Sequence, residues 1–437
     1  IINFKTRPIP STPGLSGDAS IRYTGYKGGE SAPTYSAFVG SQLDNGLGFA
    51  LLYSGLNGST WRSDSDDRYN DLAIKFRYLA GESAEIYGKF SYYDVKSRTP
   101  GGLTVAQFRA DPFQNTRPTD YWEGERKGFD IGYLNTLSAT REFEIRTYYN
   151  DSSRGSALIN AGRTQIVRQP RNYEVFGIEP RYTQRFTAGP TTHDVTVGYR
   201  FLRERGDDNA YNIAVATGIA GATTTFDNAN DAHSIYIDNK IAWGAWRITP
   251  GVRFERISST RDSRANGQTF ESDNNKALPS VNLAYLLSPQ ATLFANYNTS
   301  FGAVQNTQLN SMTATNPLRP EVARTVEAGG RWQSDTIRAE LTAYRINFDN
   351  QIQQIAGTTP AIFQNIGATK HRGIEAALEY HFDKTSPLVG LSVFANLAYT
   401  KATQEWGEFA GRDLPFYARV ADTVGANYET GPWGVHL

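Results

Sequence analysis

Hydrophobic and polar residues alternate with period two along most of this chain. In "HRGIEAALEYHF" (371–382), Ile374, Ala376, Leu378, Tyr380 and Phe382 share one face, and Glu375, Glu379 and His381 share the other. In "EIYGKFSYYD", Ile86, Phe90 and Tyr92 stand on one side with Gly88 between them, opposite Tyr87, Lys89 and Ser91. In "EFEIRTYY", Phe143, Ile145 and Tyr149 oppose Glu142, Glu144 and Arg146. "VTVGYRFL" and "LSVFANLAYT" repeat the arrangement with Val195, Val197, Tyr199 and Phe201, and with Leu391, Val393, Ala395, Leu397 and Tyr399. Side chains two apart lie on one face of a strand, so this period predicts strands with one apolar and one wet face. The apolar stripes tend to finish in Tyr or Phe, rings suited to a boundary between grease and water.

The connections between these segments alternate as well. Short turns stand at "AGES" (80–83), "SATR" (138–141), "AGPTTH" (188–193), "WGAW" (243–246), "SPQA" (288–291), "QSDT" (333–336) and "ETGPW" (429–433). Long polar segments lie between them, roughly at 56–70, 95–127, 151–172, 205–231, 258–276, 300–320, 350–370 and 402–415. Tight turns on one side and long loops on the other are the build of a transmembrane β-barrel. A soluble propeller or sandwich also alternates, but it needs large aliphatic side chains on its inner faces. Here the second face carries Glu, Lys, Arg, Asn and Thr. The expected fold is therefore all-β: a transmembrane antiparallel β-barrel with short periplasmic turns and long extracellular loops. A closed sheet pairs its own backbone groups in lipid without helices. It also accommodates a mean hydropathy of −0.49, because only one face of each strand is apolar.

No apolar run approaches the roughly 18 residues of a transmembrane helix. Counting segments gives about nineteen strands, the last starting near Trp433 and running to Leu437. Bacterial single-chain barrels have even strand numbers, and an odd count leaves an unpaired edge. The expectation is one partial barrel domain over residues 1–437. The chain starts with Ile rather than Met, so a fragment of a longer protein is expected.

Composition narrows the chemistry. The 437 residues hold 44 basic and 44 acidic side chains, so no charge excess points to nucleic acid. Absence of Cys excludes disulfides, thiol catalysis and Cys-based metal sites. His193, His233, His371, His381 and His436 do not fall at metal-binding spacings, and no nucleophile elbow or phosphate loop occurs. No enzyme is expected. "WRSDSDDRYND" gathers Asp64, Asp66, Asp67 and Asp71, hard oxygens of the kind calcium takes, but the EF-hand spacing and its Gly are missing. Among the loop arginines, Arg154 stands where a long strand leaves the membrane and Arg171 where the next returns. Adjoining rims can direct both guanidinium forks to one mouth, where they suit carboxylates. Solvation, or pairing with lipid phosphates, is the other reading of the same two residues.

The chain resembles TonB-dependent outer-membrane receptors, and within them the ferric dicitrate branch. The matching segments run in order: "INFKTRPIP" (2–10), "GGLTVAQFRADPFQNTRPTDYW" (101–122), "PRNYEVFGIEPRYTQ" (170–184), "ITPGVRFE" (248–255), "LRPEVARTVEAG" (318–329), "INFDNQIQQ" (346–354) and "HRGIEA" (371–376). "HRGIEA" and "LRPEVARTVEAG" are general to the superfamily, whereas "TRPTDYW" and "PRNY…GIEPRY" look specific to the citrate branch.

The resemblance implies a 22-stranded barrel filled by an N-terminal plug that meets the TonB–ExbB–ExbD complex. "IINFKTR" then marks the end of the plug, and the last strands follow Leu437. It further implies a bacterial outer-membrane location, an iron chelate as cargo and no cofactor. Arg154 and Arg171 match ligand-binding arginines by motif. A third arginine is expected before "DAHSIYIDNK", where this chain has Asn228. A Gln contact is expected after "INFDNQ", with Gln354 near and Ala356 aligning as well. The implied function is import of ferric dicitrate or a similar anionic iron chelate, energised by TonB. Receptors for other siderophores, cobalamin or sugars share the general motifs, and a passive porin would share the barrel.

Overall fold

In a computed structural model, the described residues are 6–27, 31–355, 357–358, 361–407, 409–415 and 417–437. The strands begin with β1 (Gly14–Gly25), β2 (Ser31–Gln42), β3 (Leu47–Ser59), β4 (Asp66–Ala80) and β5 (Ala84–Arg98). Helix α1 (Val105–Ala110) precedes β6 (Tyr121–Ser138), β7 (Arg141–Ile159), the short β8 (Gln165–Arg168) and β9 (Arg171–Ala188). Next come β10 (Thr191–Ala214), β11 (Thr224–Trp243), β12 (Trp246–Ser263), β13 (Thr269–Leu286) and β14 (Ala291–Gly302). After α2 (Asn306–Leu309) follow β15 (Glu321–Gln333), β16 (Ile337–Asp349), the loop hairpin β17 (Ile352–Gln354) and β18 (Phe363–Asn365), and β19 (Thr369–His381). The chain closes on β20 (Leu391–Gln404), β21 (Val420–Thr430) and β22 (Trp433–His436).

One 20-stranded sheet takes all of these except β17 and β18, which pair with each other. Without β8, which lies in a connection, the described residues give nineteen wall strands, the number read from the sequence. Both helices are too short to cross a membrane, and no other described helix is long and apolar enough.

The chain divides into two compact units. Ile1–Tyr182, Tyr199–His233 and Ser258–Glu271 make the first; Thr183–Gly198, Ser234–Ile257 and Ser272–Leu437 make the second. In the first unit, the register Phe90↔Phe129 and Phe129↔Tyr149 stacks large apolar side chains across β5, β6 and β7, all exposed. The opposite face is polar: Lys89 lies 3.4 Å from Asp130, and the Tyr87 hydroxyl donates to Glu144. In the second unit, Ile374 and Leu378 on β19 are 49% and 52% exposed, and Ile374 faces Tyr399 on β20. There the polar face pairs Arg331 with Glu340 at 2.9 Å and Asn296 with Glu327 at 2.8 Å.

Neither unit hides its large side chains in a core. The largest fully buried ones among the described residues are Leu309, Val304, Thr369, Ser65 and Ser156. A sandwich of this size would bury its Phe and Leu. Here they form an outer skin, while rings on the polar face cover glycines of the next strand. A Cβ on Gly132 would meet Tyr87 at 2.2 Å, and one on Gly177 would meet Tyr148 at 2.2 Å.

The short turns lie where the sequence places them, with Gly189, Gly244 and Gly431 at positive φ, as hairpins between twisted strands require. The long connections differ from expectation. Residues 205–231 and 258–276 read as loops, yet β10 continues to Ala214, β11 starts at Thr224, β12 reaches Ser263 and β13 begins at Thr269. These strand ends lie beyond the apolar band, so both faces are wet and the period-two signal vanishes while the ladder continues. Buried Arg62 ties down the 99–120 connection, donating from Nη2 to the Pro100 carbonyl at 3.0 Å and from Nε to the Gln114 carbonyl at 3.0 Å.

Candidate ligand site on the polar face of the first unit

Arg154 and Arg171 come from neighbouring strands. β7 pairs with β8 in the register Ala157↔Arg168 and Ile159↔Ile166, and β9 continues alongside β7. Farther along, Ser152 Oγ donates to the Tyr173 carbonyl at 3.2 Å and Thr147 Oγ1 to the Gly177 carbonyl at 2.9 Å. The same register therefore sets Arg154 against Arg171. Residues opposite each other share a face with Cβ atoms about 4.5–5.5 Å apart, and like charges there repel. The face is the polar one, because Tyr149 and Phe176 at the intervening positions are exposed on the apolar skin.

The two guanidinium groups are held differently. Arg154 is exposed and lies 5.3 Å over the ring of Trp122. That cation–π contact fixes it without neutralising it. No ion pair or hydrogen bond takes its side chain among the described residues. Arg171 has its Nε 3.5 Å from Asp208 Oδ1, and its two terminal nitrogens have no hydrogen-bond partner among the described residues.

Beside Arg171 a ring of hydrogen bonds joins four side chains. The Tyr173 hydroxyl donates to Asp208 Oδ1 at 2.8 Å. Arg261 Nη1 donates to Asp208 Oδ2 at 2.6 Å and to Asn228 Oδ1 at 2.6 Å. Asn228 Nδ2 closes the ring by donating to the Tyr173 oxygen at 3.0 Å. Asn228, Arg261 and Asp208 are 3%, 4% and 6% exposed. The Arg261 guanidinium also lies 4.1 Å over Phe226, and Tyr173 packs over Gly206, whose added Cβ would meet it at 2.6 Å.

Burial opposes ionisation of Asp208, but the hydrogen bonds from Arg261 and Tyr173 and the charge of Arg171 outweigh it. They hold its carboxyl below the usual range. Burial, then the charge of Asp208, pushes the Tyr173 phenol well up, so it stays a donor. Asp208 thus lies beside two guanidinium groups, the loosely held Arg171 and the tightly bound Arg261, with Glu204 acting on the same Tyr173 phenol.

The structure thus brings Arg154 and Arg171 together and gives Asn228 another part. Asn228 is buried with both ends of its amide taken by Arg261 and Tyr173, so it props a cation rather than offering itself to a ligand. Gln354 is exposed on the β17–β18 hairpin of the second unit, opposite Phe363; Ala356 lies outside the described residues. Asp64, Asp66, Asp67 and Asp71 do not gather: Asp66 accepts from Ser59 at 2.9 Å and pairs with Arg98 at 3.3 Å. No group of three or more potential metal ligands occurs among the described residues. Sequence reasoning missed Tyr173, Asp208 and Arg261. Arg261 falls in "SSTRDSRANG", which reads as a loop, and only the alternation Ser259, Arg261, Ser263 marks it as strand.

Strands with an apolar skin, ringed ends, a charged inner face and tight turns on one side define a transmembrane β-barrel of the bacterial outer membrane. The chain belongs to the TonB-dependent receptor-like β-barrel family, whose description matches residues 75–437. It is 35% identical to the unliganded ferric citrate transporter FecA, with a TM-score of 0.91 over 99% of this chain and 66% of that one. The ferrioxamine B receptor of Salmonella typhimurium (strain SL1344) is 25% identical over 178 residues, 40% of this chain and 24% of the receptor. The siderophore receptor PiuA from Acinetobacter baumannii shares the fold, with a TM-score of 0.76 at 15% identity over 97% of this chain and 70% of that one. The chain thus spans less than two thirds of the curated relatives it matches and about two thirds of the transporter.

Proposed function

We propose that the intact protein is an outer-membrane receptor that imports ferric dicitrate or a similar anionic iron chelate, energised by TonB. The observation that carries this reading is the pair of arginines on facing rungs of β7 and β9, which repel each other with no carboxylate at Arg154 to balance them. An anion with several carboxylates relieves that repulsion, and two rigid forks match paired carboxylates better than any other side chain. The likeness to the ferric citrate transporter over nearly the whole chain supports the same cargo. In this reading the chelate docks at the arginines first. A plug domain, as in relatives of this family, then shifts when the TonB–ExbB–ExbD complex pulls, and the cargo passes to the periplasm.

The test is Arg154→Ala together with Arg171→Ala in the full-length protein. Each lost charge-assisted hydrogen bond is worth about 1.5–3 kcal/mol, so binding of labelled ferric citrate should fall at least about 100-fold. Unchanged affinity would remove the assignment. Growth of the host strain on several iron sources separates citrate from other chelates.

A further inference from the structure

Asp208 sits in the wrong place for an anion receptor, since a bare carboxylate beside Arg171 would take its fork and cancel its charge. The geometry shows why this does not happen. Both Asp208 oxygens are engaged by closer donors, Arg261 at 2.6 Å and Tyr173 at 2.8 Å, while Arg171 Nε stays 3.5 Å away. Charge-assisted N–H···O bonds close to about 2.7–2.9 Å where they are fully formed. Arg261 is itself fixed by Asn228 and by the face of Phe226, and is too deeply buried to reach a ligand from this position.

We infer that Arg261 is a positioning residue: it neutralises Asp208 so that Arg171 keeps its charge and its terminal nitrogens for the anion. The inference rests on the proposed anion-chelate reading and deepens it. Arg261 brings its charge to Asp208 from β12, with the Asn228 side chain as its prop. Without Arg261, the freed Asp208 oxygen swings onto Arg171 and forms the bidentate pair that the fork favours.

The test compares R261Q, D208N and the double variant R261Q/D208N with wild type in the full-length protein. Two readouts are followed: affinity for ferric citrate, and the labelling rate of Arg171 by phenylglyoxal, located by peptide mass spectrometry. R261Q should weaken binding by about tenfold or more and slow labelling of Arg171. The double variant should restore both, because the quenching carboxylate is gone. R261Q at wild-type affinity and labelling, or a double variant as impaired as R261Q, would overturn the inference.

If R261Q does not fold, D208N and the double variant still decide. With no carboxylate left to take the Arg171 fork, the two should label Arg171 at rates within about twofold, and slower labelling in the double variant sinks the idea. If wild type does not bind ferric citrate, the cargo reading fails, and the ligand-free labelling still judges the role of Arg261.

Discussion

Asp208 and Asp231 each lie between two arginines in the same unit, but on opposite faces of the sheet. Asp231 accepts from Arg203 Nε at 2.9 Å and from Arg205 Nη2 at 2.8 Å. These side chains are open: Arg203, Arg205 and Asp231 are 54%, 42% and 33% exposed. Arg205 Nη1 also donates to the Glu204 and Asn230 carbonyls at 2.7 and 3.0 Å, so little of its fork is left. Around Asp208 the division is unequal: Arg261 is buried and tightly bound, Arg171 is loosely held. Identical composition therefore gives two devices. On the skin above the apolar band, two arginines are spent on one acid. On the polar face one arginine is spent so that the other stays free.

Stability should separate the two clusters most strongly. Removing one partner of a buried ion pair strands a charge and costs about 3–5 kcal/mol, while an exposed pair is worth about 0–1 kcal/mol. Arg261→Met should thus lower the temperature at which the folded barrel converts on gels of unheated samples, and Arg203→Met should hardly move it. Asp208→Asn combined with Arg261→Met should recover much of the loss. Equal shifts for the two single variants would show that burial does not distinguish the clusters.

Gly206→Ala tests the packing that aims Tyr173 at Asp208. The new Cβ would meet the Asn172 carbonyl oxygen at 2.3 Å and the Tyr173 ring at 2.6 Å. Overpacking of this kind costs about 1–3 kcal/mol, and the displaced phenol should loosen Asp208 enough to weaken chelate binding several-fold. Gly102→Ala is the control, since a Cβ there meets nothing within 4 Å. Binding that is insensitive to Gly206→Ala would mean the phenol is not needed to occupy Asp208.

Acid should act in a defined direction. The folded pKa of Asp208 lies below its unfolded one, so its contribution is fully present above the unfolded value of 3.8 and is lost as pH falls through the folded value. Asp208→Asn should therefore flatten the loss of stability below about pH 4, and leave the profile near neutrality unchanged in shape. A shape change confined to neutral pH would place the titration elsewhere.

What the sequence displays follows from which surroundings each residue meets. Strand β19 is legible because one face is in lipid and the other in water, so its alternation has full contrast. The same holds for the turns, where Gly189 and Gly244 are required by backbone geometry. Beyond the lipid that contrast is gone: Arg261 and Asp208 lie on strand ends that read as loops. Arg154 and Arg171 stand out in the sequence because each abuts a recognisable strand boundary and motif. The sequence around Asn228 does not reveal that an arginine from β12 leans on it. Gln354 sits on a short hairpin whose pairing is local, and nothing in its flanking residues fixes a partner.

The smallest expected effect is also the sharpest discriminator of the two faces. At about 0.1 M salt the screening length is about 10 Å, and at 1 M about 3 Å. The Arg203–Asp231–Arg205 cluster, open to solvent, should lose its contribution over that range: Asp231→Asn differs from wild type by under about 1 kcal/mol in low salt and by nothing measurable at 1 M. Ions do not reach between Arg261 and Asp208, both under a tenth exposed, so the deficit of Arg261→Met should persist unchanged at 1 M. Unfolding midpoints of the three proteins along a salt series decide the point. If salt erases the Arg261→Met deficit as well, the inner aspartate is as wet as the outer one, and Arg171 gains no protection from its neighbour.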